Sequence, residues 1–226
     1  MKIIITSGAT IEPIDNIRFL TNLSTGKTAS IIASHLSKKY QVTYLTSKTA
    51  KFYPAKNKKI KIIFFDTFKS LNLALKKELG RNYYDVIIHA AAVSDYSIYR
   101  IKVNGKNLKK LNGKLSSKFK FINIILKKNF KIINRIIKYS KNKNIFIVAF
   151  KLTSTKNETK IKKAVKEIKA DIVIHNDTHN INEKKHIFNI YIANKKVDSA
   201  KNASILARKI EKLIERRKNE FSDRCR

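Results

Sequence analysis

Short, almost wholly apolar runs alternate along this chain with stretches whose apolar residues recur every three or four positions. The first pattern fits strands buried on both faces and the second fits amphipathic helices, so together they predict a mostly parallel sheet flanked by helices. Lys2-Ile3-Ile4-Ile5-Thr6 predicts a first strand ending at Ser7-Gly8; after a long loop, Ile31, Ile32 and Leu36 mark a helix over 27–40. Strands follow at 42–45 and 60–65, then a helix over 67–79 with Phe68, Leu71, Leu75 and Leu79 on its inner face and Thr67 as its cap. The run 85–93 is apolar enough for a central strand. The later pattern predicts helices over 131–139, 160–169 and 199–216 and strands at 145–150, 171–175 and 187–192. Between 94 and 126 the alternation breaks. There a Lys/Asn/Gly-rich loop over 102–113 leads into a strand-like run at 119–126, which predicts an extended flap.

A chain of 226 residues supports one sizeable core. Residues 1–216 are expected to form a single domain with the flap at about 94–126, and 217–226 a disordered basic tail. The lone Cys225 excludes an intrachain disulfide framework and fits a reducing compartment. The opening apolar run is shorter than a secretion signal, and no stretch approaches the roughly 18 apolar residues of a membrane span. The expectation is a cytoplasmic protein without a membrane partner. A net charge of +34 raises the prospect of a polyanion ligand. The lysines are spread over nearly every segment, however, and no zinc-finger, helix-turn-helix or aromatic RNA-binding signature accompanies them, so no specific nucleic-acid partner is predicted. The five histidines show no metal-ligand spacing. His35 is expected on a helix surface, and His175, His179 and His186 near a sheet edge.

The candidate chemistry concentrates in Thr6-Ser7-Gly8-Ala9-Thr10-Ile11-Glu12-Pro13-Ile14-Asp15-Asn16-Ile17-Arg18-Phe19-Leu20-Thr21-Asn22-Leu23-Ser24-Thr25-Gly26-Lys27. This connection is several times the usual strand-to-helix length, and long loops are commonly functional. Ser24, Thr25, Gly26 and Lys27 stand at the start of the next helix, where free N–H groups, hydroxyls and a cation can cradle a phosphate. An ordinarily capped helix fits the same spacing. Neither G-x-G-x-x-G nor G-x-x-x-x-G-K-[ST] is present in the loop.

The loop resembles the opening signature of the phosphopantothenate-cysteine ligase family. Four further stretches extend the resemblance in order: Ala91-Ala92-Val93-Ser94-Asp95-Tyr96; Gly113-Lys114-Leu115-Ser116-Ser117 with Leu126-Lys127-Lys128-Asn129-Phe130-Lys131-Ile132-Ile133; Phe150-Lys151-Leu152; and Ala170-Asp171-Ile172-Val173-Ile174-His175-Asn176-Asp177. The resemblance implies a Rossmann-like α/β fold whose β flap serves dimerisation. It also implies a stand-alone ligase that joins cysteine to 4'-phosphopantothenate through an acyl-cytidylate, using CTP with Mg²⁺ and releasing CMP and pyrophosphate. No flavin is expected, and decarboxylation is expected of a separate chain.

Residue by residue, the resemblance makes Asn22 the catalytic amide and assigns Gly8, Ser24, Thr25, Gly26 and Lys27 to substrate and phosphate. It assigns CTP to His89, Ala90, Ala91, Asp95, Lys114, Phe130, Lys131, Ile132, Ile133, Phe150, Lys163 and Lys166. Asp95 would meet the nucleotide or its metal. Four positions depart from the family pattern: Ala9, Ala29 and Ala149 replace glycine (or, at 9, proline), and Phe130 replaces proline. Two other classes remain compatible with the residues: a different Rossmann-type nucleotide-binding oxidoreductase, and a basic nucleic-acid-binding protein.

Overall fold

The structure is a computed structural model that describes residues 1–108, 113–181 and 186–223, with side chains through residue 220. The chain runs β1 (Lys2–Ser7), β2 (Ile11–Pro13), β3 (Phe19–Thr21), α1 (Lys27–Leu36), β4 (Gln41–Ser47), β5 (Ile60–Phe65), α2 (Phe68–Arg81) and β6 (Val86–His89). It continues through β7 (Tyr96–Val103), β8 (Lys106–Asn107), β9 (Ile122–Lys128), α3 (Ile136–Tyr139), β10 (Phe146–Thr153), α4 (Glu158–Lys166), β11 (Ile172–Asp177), β12 (Phe188–Ile192), β13 (Lys195–Ala200) and α5 (Ala203–Asp223).

Eight strands form one sheet in the order β13-β12-β11-β10-β6-β1-β4-β5. From β5 to β11 the neighbours are parallel, and β12 and β13 turn antiparallel at the far edge. Chain order reverses between β1 and β6, which creates the crevice where doubly wound sheets hold their ligands. The period of two in β1 divides the core. Ile3 and Ile5 pack beneath α1 and α5 with Tyr44, Ile88 and Ile210. Ile4 points the other way, with Ile87 and Ile147, under Leu71, Leu75 and Leu79 of α2 and Ile136 of α3. Burying both faces is why these strands carry no polar alternation.

The helix over 67–79 is observed nearly as expected: the Thr67 hydroxyl accepts from Ser70 N at 3.1 Å, and Thr67 N donates back to Ser70 Oγ at 2.9 Å. Other expectations are corrected. The central strand stops at His89, because Ala92 turns aside to pair with Ala9. The helix expected over 131–139 is a 3-10 turn at Ile132–Arg135 followed by one turn of α-helix. The helix over 27–40 ends at Leu36, and that over 160–169 ends at Lys166. The last helix begins at Ala203 rather than 199, behind the additional strand β13, and runs on through Asp223, past the end of the expected domain. His35 is not a free surface residue, since its Nε2 meets Glu211 of α5 at 2.7 Å. His175 lies buried within the sheet instead of at its edge.

The region 94–126 is a small antiparallel sheet, β8-β7-β9, and not mainly loop. Its centre is Ile101, Val103 and Leu115, with Ile14 of the long first loop packed against them. Residues 109–112 of the expected loop lie outside the described residues. Among the described residues no helix is long and apolar enough to cross a membrane.

Candidate functional site

The long first loop contains its own hairpin: Ile11–Pro13 pairs antiparallel with Phe19–Thr21. The hairpin is fixed at its base by Ile11 N donating to Asp66 O at 2.8 Å and by buried Glu12, whose Oε1 accepts from Phe68 N at 3.0 Å. A carboxylate against the first turn of α2 is favoured by the free N–H groups and helix dipole there. The hairpin thus delivers Asn22 to the crevice. Asn22 is exposed, and its Nδ2 donates to Val93 O, just past β6, at 3.3 Å.

Beside it, Gly8 and Gly26 adopt φ of 77° and 78°. A Cβ on Gly8 would lie 2.8 Å from Ser47 Cβ, and one on Gly26 would lie 2.9 Å from Ser7 Oγ, so both positions need glycine for space as well as conformation. Gly26 caps α1 with no side-chain hydrogen bond. A glycine at this position has no side chain to cap the helix, so the geometry is compatible with an ordinary helix start and with an anion held by the first N–H groups. The hydroxyl of exposed Thr25 makes only a long contact, accepting from Lys27 N at 3.4 Å, and Ser24 is half-buried nearby. Lys27 lies with its Nζ 5.6 Å from the centre of the Phe52 ring.

On the other side of the switch point, the Thr6 hydroxyl accepts from Ala90 N and Ala91 N, both at 3.1 Å. With its lone pairs taken, it donates to His89 Nδ1 at 2.9 Å. That assignment leaves the proton of neutral His89 on Nε2. Burial pushes the His89 pKa down to about 4, so the ring is neutral at physiological pH. Thr10 braces the next turn in a similar way, accepting from Ser94 N at 2.8 Å and donating to Ser94 Oγ at 3.0 Å. The turn after β6 is therefore held by two threonines of the opening motif, to neither of which the sequence reading assigns a role.

Asp95 and Lys131 form an ion pair at the rim, both more than half exposed. Asn129 ties the two segments together: its N donates to Asp95 O at 2.8 Å and its Nδ2 to Ser94 O at 3.1 Å. Phe130 packs edge-to-face on Phe68 at 5.1 Å, with the Arg135 guanidinium 4.4 Å from its ring centre. Ile132 and Ile133 turn into the core under α2, so what they can offer a ligand is backbone. Phe150 is half-buried and meets Phe188 edge-on at 6.5 Å. Lys163 and Lys166 are exposed on α4, and among the described residues no hydrogen bond or ion pair joins them to the rest of the site. Lys114 stands exposed in the flap beside buried Leu115.

A further cluster lies at the ends of β10 and β11. Asp177 accepts from the Thr153 hydroxyl, from Thr155 N at 2.9 Å and from His179 N at 3.0 Å, and its Oδ1 also meets His179 Nδ1 at 2.6 Å. Burial opposes its charge, but these hydrogen bonds prevail and hold the carboxyl well below the usual range. Two hollows lie away from the crevice: one of about 200 Å³ beside Met1, Tyr83 and Phe146, and one of about 460 Å³ beside Pro54 and Ile62. The crevice is located by topology, at the carboxyl ends of the strands where chain order reverses between β1 and β6.

Fold and site define a doubly wound α/β domain whose candidate site lies at its switch point. The sequence profile of the DNA/pantothenate metabolism flavoprotein C-terminal domain matches residues 1–216, and the chain belongs to that family. The coenzyme A biosynthesis bifunctional protein CoaBC of Borreliella burgdorferi is 33% identical over 201 residues, covering 86% of this chain and 46% of that protein. The chain spans about half, or less, of the length of the curated relatives it matches. Among solved structures, the DNA/pantothenate metabolism flavoprotein from Streptococcus pneumoniae has a TM-score of 0.81 at 29% identity, covering 95% of this chain and 98% of that one. A mutant of Cab2 in complex with phosphopantothenate-cysteine shares the fold, with a TM-score of 0.75 at 19% identity over 100% of this chain and 89% of that one.

Proposed function

We propose that the protein is a phosphopantothenate-cysteine ligase of coenzyme A biosynthesis that uses CTP. The observation that carries this reading is the hairpin-borne amide of Asn22, bonded to Val93 O beside the uncapped start of α1. An amide donor and an anion cradle at one switch point are what an acyl transfer between phosphorylated substrates requires.

In the proposed reaction, a carboxylate oxygen of 4'-phosphopantothenate attacks the α-phosphorus of CTP. The bond to the bridging oxygen breaks, and pyrophosphate leaves with that electron pair. The cysteine amine then attacks the acyl carbon, loses a proton, and CMP departs. The second N–H of the Asn22 amide donates to the oxygen on which charge develops, while Gly26 and the first amides of α1 hold a phosphate. Neutral His89, fixed by Thr6, presents Nε2–H without adding charge.

A magnesium ion would supply charge neutralisation for the phosphates, and Asp95 is the residue that would hold it. The residues fit that role, because magnesium on a triphosphate needs only one or two carboxylates and Asp95 offers one at the rim. The described residues contain no larger acidic or histidine cluster. A homodimer formed through the flap belongs to the same reading. It is supported by the exposed apolar residues Tyr96, Tyr99, Phe121 and Ile125 on β7, β9 and the segment before β9.

The test is a paired assay with Mg²⁺. Pyrophosphate release should need both CTP and 4'-phosphopantothenate, and amide formation should need cysteine as well. Absence of both products would sink the ligase reading, and tight NAD(P) binding without CTP binding would replace it with an oxidoreductase-like one.

A further inference from the structure

The Asp15 side chain is fully buried yet ionised, and it collects donors from two distant parts of the chain. Ile17 N at 2.8 Å, Arg18 N at 2.7 Å, Arg18 Nε at 2.8 Å and Arg18 Nη2 at 2.5 Å come from its own turn. The fifth donor is Leu115 N, at 3.0 Å, from the flap. Arg18 Nη2 also donates to Leu115 O at 2.9 Å. Both backbone polar groups of Leu115 are thus taken by one carboxylate–guanidinium pair. The Leu115 side chain is 3% exposed and joins Ile101, Val103 and Ile14 in the flap's small core.

A surface ion pair would need none of this. A planar guanidinium serving a carboxylate and a carbonyl of another segment is a geometric device that the single ammonium of lysine does not reproduce. The contact has two consequences for the crevice. Arg18 directly precedes β3, the strand that ends next to Asn22, and Lys114 directly precedes Leu115. The residue expected to carry acyl transfer and the lysine expected to meet phosphate are therefore referenced to the same pair, a buried Asp15 carboxylate and a partly exposed Arg18 guanidinium.

We propose that Asp15 and Arg18 are positioning residues that clasp the backbone of Leu115 and so hold Lys114 in place for the nucleotide while Asn22 is held for the acyl group. The functional half of this statement rests on the ligase reading; the clasp itself does not. Neither residue touches substrate, and each acts through the segment it orients.

The experiment uses the full chain with Arg18→Lys and, as a second variant, Asp15→Ala, which removes the acceptor of Leu115 N. Amide hydrogen exchange at Leu115 and the melting temperature are measured beside the steady-state kinetics for CTP. Loss of a hydrogen bond involving charged partners should speed Leu115 exchange by about tenfold or more. Arg18→Lys should stay folded, with a raised KM for CTP and a smaller change in kcat. Unchanged Leu115 exchange in both variants would overturn the clasp. Faster exchange with an unchanged KM and kcat would overturn the positioning role. If wild-type protein turns over nothing, the ligase reading falls, while the exchange measurement still decides the clasp.

Discussion

Asp15 accepts the backbone N–H of Leu115 at 3.0 Å although 100 positions separate the two residues. The acidic residue in the middle of the opening motif is thus spent on architecture, and no free oxygen is left for a ligand. Arg18 hydrogen bonding, against the opposing effect of burial, holds the Asp15 carboxyl well below the ordinary range.

Asn22→Ala should lower the rate of amide formation by about 100- to 1,000-fold, the usual cost of removing one donor to a developing oxyanion. Because Asn22 is exposed, the melting temperature should hardly change. Steady-state kinetics with a parallel thermal melt checks both; normal turnover would remove Asn22 from the reaction.

Gly8→Ala should destabilise the fold by about 2 kcal/mol, combining a strained positive φ with a forced shift at Ser47. Urea unfolding measures it. Since Gly8 O also accepts from Ala92 N at 2.8 Å, displacing it should weaken nucleotide binding as well.

His89 makes stability depend on pH with a definite sign. Its folded pKa is lowered to about 4 from a model-peptide value of 6.5, so in that window the unfolded chain binds more protons. Stability should fall as pH drops from about 6.5 to 4, with His89 contributing about 3 kcal/mol across it. His175 and His186, also pushed down by burial, add in the same direction. Asp15 and Asp177 act lower: with depressed folded pKa values, their stabilisation is present above the ordinary carboxylate range and is lost as pH falls from there down through the depressed folded values. Urea midpoints at pH 7 and pH 5 should differ less in His89→Asn than in wild type; an equal difference would refute the assignment.

Leu75→Ala, at a fully buried position between α2 and the sheet, should cost about 2–5 kcal/mol through lost burial and a residual cavity. Thermal unfolding would show the loss.

The main sheet was legible because its parallel strands are apolar on both faces: 2–6, 60–65 and 171–175 read directly as strands. The elements missed are those whose stability comes from partners. β13 is a polar edge strand, Lys195–Ala200, reached through a tight turn at Ala193 and Asn194, both at positive φ, which lacks the usual glycine. The turn between β7 and β8 did carry a readable signal, Asn104-Gly105, the sequence preferred where both central residues need positive φ. The helix expected over 131–139 failed for another reason: burial of Ile132, Ile133 and Ile136 sets that spacing, and a 3-10 turn satisfies it too.

For the site, the sequence alone determined the family resemblance, the alternating fold and the residues of the opening loop, because ordered motifs and periodicity are local properties of the chain. Only the tertiary structure decided what those residues do to one another. Asp15 meeting Leu115, Thr6 holding His89, and Lys131 pairing with Asp95 join positions 36 to 100 residues apart. Nothing in local composition encodes such pairs, because a buried polar group finds its partner only when the sheet brings distant strand ends together.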